Sequence, residues 1–222
     1  MDFKYFNDPE RLLKLVSLFL EDGVGATCSI FALTLMLSLP LGLVVALGRM
    51  SKMPLSRWPV SFYIYFMRST PLMLQVMCIY FLLPQILPFK MDRYWAVIFA
   101  FAINYAAYFA EIFRGGIQAV PIGQREAGRV LGYTRAQVFM RIVLPQTVKH
   151  VMPAVTNEVV TLVKDTALAS TVAITEIMLT ARRQVNANYT VEPYLMAMII
   201  YLVLNGVASQ LCKLAERKLN YY

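Results

Sequence analysis

Apolar residues in this chain fall in long blocks separated by short polar segments. The blocks cover 23–48, 58–83, 94–113, 151–174 and 193–211. Each is near the about 20 residues a helix needs to cross the hydrocarbon core of a bilayer. They predict an all-α integral membrane protein with five transmembrane helices. Ahead of them, Asp8-Pro9-Glu10 has the form of a helix start: a capping acid, proline at the first position and acid in the first turn. Leu12, Leu13, Leu15, Val16, Phe19 and Leu20 then interleave with Arg11, Lys14, Glu21 and Asp22. Residues 9–22 therefore read as an amphipathic helix lying at the membrane interface. Little remains for a soluble domain, so 1–222 reads as one membrane domain without internal repeats.

Composition agrees. Hydrophobic residues make up 59% and charged residues 15%, with mean hydropathy +0.56; soluble domains are about a quarter charged. The net charge of +8 needs no nucleic-acid partner once the Lys and Arg are placed on the membrane's two sides. With the N-terminus outside, twelve fall on inner segments (Arg49 to Arg57, Arg114 to Lys149, Lys213 to Lys218) and seven on outer ones. Arg68 and Lys164 lie within spans. The bias predicts N-out and C-in. Cys28, Cys78 and Cys212 have neither zinc-like nor redox-like spacing and read as small buried hydrophobes. No removable signal peptide is expected.

The 121–145 segment is too polar to span, and its signals are those of two short helices. The first ends at Gly132, a residue suited to a left-handed cap. Thr134 and Gln137 have capping-box spacing for the second, and Pro145 is expected to end it. On the inner face this pair forms a compact surface for something in the cytoplasm.

Here the sequence resembles a known family. Glu126, Ala127, Gly128, Gly132, Ile142, Leu144 and Pro145 stand in the register of the cytoplasmic signature loop of ABC-importer membrane subunits. That pattern is Glu-Ala-Ala, three residues, Gly, nine residues, Ile, one residue, Leu-Pro; the departure is Gly128 for the second Ala. "RSTPLMLQ", "YFAEIFRGGIQAVPIGQREAG" and "EPYLMAMIIYLVLN" look like the polar-amino-acid branch, so the resemblance covers nearly the whole chain. It implies a type I importer permease of the bacterial cytoplasmic (inner) membrane, paired with an identical or sister permease. It further implies a cytoplasmic ATP-binding subunit seated on the signature loop, and an external solute-binding protein. ATP and magnesium would belong to the ATP-binding partner, because this chain has no G-x-x-x-x-G-K-[ST] segment to cradle phosphates. No catalytic set of another kind is present, and His150, the single histidine, reads as interfacial.

Arg68 stands deep in the second apolar block, followed by Ser69, Thr70 and Pro71. A charge at mid-span costs about 2.5–3.5 kcal/mol on insertion scales and is usually functional. Thr70 can cap and Pro71 can start a second half-helix, giving a span broken near the midplane. Arg68 can then grip a substrate carboxylate bidentately. The fourth block supplies Glu158 and Asp165, seven apart and so on one helix face, with Lys164 turned about 100° away. Arg68, Thr70, Glu158, Lys164 and Asp165 are thus candidate substrate contacts for a polar or charged L-amino acid moved by alternating access. The alternative is an internal network in which Arg68 pairs with Glu158 or Asp165. Asn104 and Tyr108 are weaker candidates, and Glu111 is expected to neutralise Arg114. The rival function is an ATP-independent secondary transporter or channel for a small zwitterion. An enzyme is not expected.

Overall fold

The computed structural model describes Tyr5, residues 7–86 and residues 90–219; Lys4, counted above with the outer charges, lies outside them. Within these residues every regular element is helical. Helix α1 (Pro9–Leu18) begins as its sequence dictates, with the Asp8 carboxylate accepting from the backbone N–H of Glu10 at 3.1 Å and of Arg11 at 3.4 Å. It does not stop before the first span. A π turn (Phe19–Val24) leads into α2 (Gly25–Arg49), making one helix of 41 residues. The expected separate interfacial helix is thus an extension of the first span. Leu15 and Phe19 pack against Ile177, Ala181, Met196 and Ala197, while Glu21 and Asp22 remain exposed. That contact fixes the rod across a segment whose local signals suggest a break.

The chain continues through α3 (Pro54–Ser69), α4 (Leu72–Met77), a π turn (Cys78–Leu82) and α5 (Leu83–Ile86). It crosses the core as α6 (Arg93–Ala119) and forms the loop helices α7 (Ile122–Val130) and α8 (Arg135–Val138). A π turn (Phe139–Val143) joins α8 to α9 (Leu144–Asp165), followed by a 3-10 turn (Thr166–Val172), α10 (Ile177–Asn188) and α11 (Glu192–Leu219). Among the described residues, three helices are long and apolar enough to cross a membrane: Pro9–Arg49, Arg93–Ala119 and Glu192–Lys218. Helices α3 and α4–α5, bent by 108° at their break, make a fourth if they form one span. The expected fifth corresponds to α9, whose Lys149, Glu158, Lys164 and Asp165 dilute its apolar character. The cysteines are not core residues: Cys28 and Cys78 are exposed and Cys212 is half-buried. In apolar helices an outward face has lipid to meet, so an apolar side chain there needs no protein around it.

Helix α6 is the axis of the fold. Two-thirds (67%) of its most apolar stretch is buried inside the protein, against 17% for α11. In a bilayer, lipid tails are as apolar as leucine, so helices hold together by close packing. The α2 face turned inward is Thr27, Ile30, Thr34, Ser38, Gly42 and Ala46, a helical stripe of mostly small residues. It meets α6, where Ala96, Ala100, Ala106, Ala107 and Ala110 are all fully buried. At Gly42 the approach is closest: a Cβ there would lie 2.7 Å from Phe109 Cβ and 3.1 Å from the Ala106 carbonyl. Both are fixed atoms near the backbone and cannot swing away.

Helix α10 is anchored by a buried acid. Glu176 accepts from the N–H groups of Met178 (2.8 Å) and Leu179 (2.7 Å), and from the Tyr201 hydroxyl of α11 (2.8 Å). Three donors offset part of the cost of burying its carboxyl, and burial still pushes its pKa up.

Gly42→Ala is expected to cost about 1–3 kcal/mol through overpacking. Its detergent-solubilised Tm should fall clearly. Gly206→Ala, whose added methyl meets nothing within 4 Å, should keep the parental Tm. Equal melting of the two variants would remove close α2–α6 approach as a determinant of stability.

Candidate functional site

Helix α3 ends at Ser69 because Pro71 has no N–H to continue the ladder. The carbonyls this frees need donors, since unsatisfied backbone is costly in a membrane. Side chains supply them. Gln75 Nε2 donates to the carbonyls of Met67 (3.0 Å) and Thr70 (3.2 Å). Asn104 Nδ2 of α6 donates to Met67 O (3.0 Å) and to Gln75 Oε1 (2.9 Å). Both amides are buried. The Thr70 hydroxyl donates to Phe66 O (2.8 Å) and accepts from Gln75 Nε2 (2.7 Å). Thr70 therefore closes the first half-helix. It does not cap the second, whose N-cap is Pro71 without a side-chain bond. Tyr63 donates its hydroxyl to Ile103 O, a further tie between α3 and α6.

Arg68 occupies the last turn of α3, where a cation complements the helix dipole. Its guanidinium lies 5.3 Å from the centre of the Tyr108 ring of α6, within the about 6 Å of a cation–π contact. It faces a cavity of ≈ 320 Å³ lined by Ile64, Tyr65, Arg68, Ser69 and Tyr108. Among the described residues no carboxylate lies within ion-pairing distance of Arg68, so the internal pairing with Glu158 or Asp165 is not the arrangement adopted. Arg68 still acts electrostatically on Glu158. Glu158 is half-buried on α9, and Asp165 exerts its own field on it. Asp165, the last residue of α9, accepts from the Tyr105 hydroxyl at 2.7 Å. Lys164 is exposed beside it. Glu111 pairs with Arg114 as its spacing implies, at 2.5 Å, and also faces Arg49 at 3.9 Å. Gln75 and Tyr105 are polar contacts at this site that sequence reasoning does not single out. The one signal for Gln75 is an amide in an apolar run just after Thr70-Pro71; for Tyr105 there is none, because its partner is 60 residues away.

On the loop, α7 ends in a Schellman motif. Tyr133 N–H donates to Gly128 O and Gly132 N–H to Arg129 O, both at 3.0 Å, with Gly132 at φ +78°. The Thr134–Gln137 capping box follows as expected. Pro145 does not end this helix. The π turn seats its ring in the first turn of α9, where no donor is required, and the rod runs from Arg135 to Asp165. Gln146 Nε2 and Thr147 Oγ1 satisfy the carbonyls of Ile142 (3.0 Å) and Val143 (2.9 Å). Gly128 is closely packed: a Cβ there would lie 2.6 Å from Ile142 Cδ1, the end of a flexible side chain that can turn aside for a methyl but not for a larger group, and 3.0 Å from Val138 Cγ2. Glu126, Ala127, Val130 and Leu131 are exposed, the last two at 88% and 73%.

The family described as binding-protein-dependent transport system inner membrane component matches residues 38–221. The chain belongs to it. The permease is 37% identical over 202 residues to the arginine transport system permease protein ArtQ of Bacillus subtilis (strain 168), covering 90% of this chain and 92% of that one. It is 42% identical over 192 residues to the octopine transport system permease protein OccM of Rhizobium radiobacter, covering 81% and 78%. A crystal structure of an amino acid ABC transporter with histidines superposes with a TM-score of 0.88 at 33% identity, covering 98% of this chain and 100% of that one. The permease is thus the amino-acid-translocating subunit of an ABC importer of the inner membrane. The ATP-independent rival is set aside by this membership.

In the permease, Gly128→Ala meets the mobile end of Ile142 and is expected to keep both assembly and transport. Gly128→Leu cannot be accommodated and should part α7 from the rod, leaving ATP hydrolysis that no longer drives uptake in proteoliposomes. Normal coupling in Gly128→Leu would refute the packing account.

Proposed function

We propose that α9 is a fifth span, with the N-terminus outside and the C-terminus in the cytoplasm. Two such chains, identical or sister, line one pathway. The outward-facing Ala127, Val130 and Leu131 seat a cytoplasmic ATP-binding subunit, which carries ATP and magnesium, and an external solute-binding protein delivers substrate on the other side. Exposed aliphatic residues at the end of a polar loop helix support this docking, since they have no lipid to meet on the inner side.

The substrate is a polar or charged L-amino acid, received between Arg68 and the acids of α9. The observation that carries this reading is Arg68 held over Tyr108, facing a cavity with no carboxylate paired to it among the described residues. A guanidinium so placed has its charge open to the cavity, and a substrate carboxylate can engage it bidentately. Glu158 and Asp165 supply two acidic groups, one to receive the ammonium of a zwitterion and one to receive a cationic side chain, while Arg68 and Lys164 balance them in formal charge. Relatives named for arginine and a structure with histidines are in keeping with a cationic side chain. Because α8, the π turn and α9 follow one another without an intervening loop, the 121–145 loop is joined to Asp165 through helix alone, with Pro153 inside α9 as the position where that helix can bend.

Uptake by the complete reconstituted importer tests the site. Arg68→Gln removes the carboxylate contact and should raise KM for every amino acid by roughly 10- to 100-fold, the value of a charged hydrogen bond. Asp165→Asn should raise KM chiefly for substrates with cationic side chains. Parental KM and selectivity in both variants would overturn the site.

Leu131→Asp places a charge in the docking surface. The ATP-binding subunit should be lost on co-purification while Tm of the permease is kept. Retention of the subunit at normal stoichiometry would show that docking lies elsewhere.

A further inference from the structure

Asp165 ends α9 and stands at the N-cap of the following 3-10 turn, yet its side chain makes no capping bond there. Its carboxylate is therefore not engaged by that backbone. The contact that fixes it comes from another helix: Tyr105 Oη donates to Asp165 Oδ2 at 2.7 Å. Lys164, its neighbour in sequence, is exposed and forms no ion pair with it among the described residues.

The Tyr105 ring is immobilised. It is 2% exposed, and it packs against Phe101, Tyr108 and Phe109 with ring centres at 6.5, 6.2 and 6.2 Å. A phenol held on its ring faces can place its hydroxyl in only a narrow arc, so the oxygen it grips is placed equally well. Three residues along the same helix, Tyr108 carries Arg68. Both candidate poles are thus referenced to α6, the axis of the fold. Spacings set from one rigid helix survive movements of α3 and α9 better than spacings set between them.

We propose that Tyr105 is a specificity-determining positioning residue of the permease. By gripping one oxygen of Asp165, it aims the other at a cationic side chain of the substrate, at a distance fixed relative to Arg68. This inference rests on the reading of Asp165 as a substrate contact. Tyr105 itself touches no substrate. Its hydroxyl acts only through the carboxylate, which distinguishes it from a tyrosine kept for packing: the ring would serve packing without the oxygen.

Tyr105→Phe keeps the ring and removes the hydroxyl. The test compares Tyr105→Phe, Asp165→Asn and the double variant in the reconstituted importer, with radiolabelled arginine and glutamine as probes and Tyr63→Phe as a control hydroxyl deletion. In Tyr105→Phe, KM for arginine should rise about 3- to 10-fold, with Vmax, basal ATP hydrolysis and KM for glutamine at parental values. The double variant should be no worse than Asp165→Asn alone, because both changes act through one carboxylate. Additive losses, or equal losses for both probes and for Tyr63→Phe, would overturn the positioning role. So would a parental arginine KM in Tyr105→Phe beside a raised one in Asp165→Asn; the site reading would then stand without it. A parental KM in Asp165→Asn would overturn the site reading itself. Should Tyr105→Phe assemble poorly, Asp165→Glu serves the same purpose. It keeps the charge but carries the oxygens one methylene beyond the arc that the Tyr105 hydroxyl can reach, so KM for arginine should rise while KM for glutamine holds. A parental arginine KM in Asp165→Glu would also overturn the positioning role, since a carboxylate whose exact place is immaterial needs no grip.

Discussion

A carbonyl without a donor inside a membrane is expensive, and the architecture of this permease is arranged around two such carbonyls. Breaking α3 at Thr70-Pro71 exposes Met67 O and Thr70 O. Without Gln75 and Asn104 to receive them, the break could not exist in a dry environment. With them it becomes a fixed corner of 108°. The corner leaves Arg68 at a helix end, where the dipole favours its charge and Tyr108 receives its face. The cation itself is exposed, lines a cavity and lies over the Tyr108 ring, so its charge is not enclosed.

That repair needs a reliable neighbour, and α6 is one. It supplies Asn104 to the break, Tyr108 to Arg68 and Tyr105 to Asp165. Its other side is locked to α2 through alanines and Gly42. The division of labour is chemical. Small residues on one face allow backbones to approach closely, while amide and phenol groups on the other satisfy partners that lipid cannot. A helix with bulky residues on the first face would sit too far from α2 to be held, and its polar face would lose its fixed position.

What can be read in the sequence follows the reach of each interaction. The first turns of the 121–145 loop are legible: Gly132 takes the left-handed cap and Thr134 with Gln137 forms the capping box. Those signals act over three or four residues. The Arg68 break and the Glu111–Arg114 pair are legible for the same reason. Local reading fails where a distant partner decides. It also assigns Thr70 to the wrong half-helix, although here the deciding contacts are near in sequence: the hydroxyl donates to Phe66 O four residues back and accepts from Gln75 Nε2 five residues on. It separates the amphipathic 9–22 segment from the first span, because Ile177, Ala181 and Met196, which hold it straight, lie far along the chain. A tyrosine within a span reads as packing, and the Tyr105 ring does pack; its oxygen has a second task that no spacing discloses.

Pro145 carries the largest consequence. Read locally, a proline ends a helix, and the coupling loop would then hang from α9 on a hinge. The π turn at Phe139–Val143 absorbs the misfit by shifting the hydrogen-bond register ahead of the ring, and Gln146 and Thr147 cover the carbonyls that remain. The segment from Arg135 to Asp165 therefore extends about 45 Å at roughly 1.5 Å per residue. One end packs on Gly128 through Val138 and Ile142; the other ends at the carboxylate held by Tyr105. A hinge at Pro145 would dissipate a displacement within the loop. A helix that continues past Pro145 transmits it further, and Pro153 is then the position within α9 where the segment can bend.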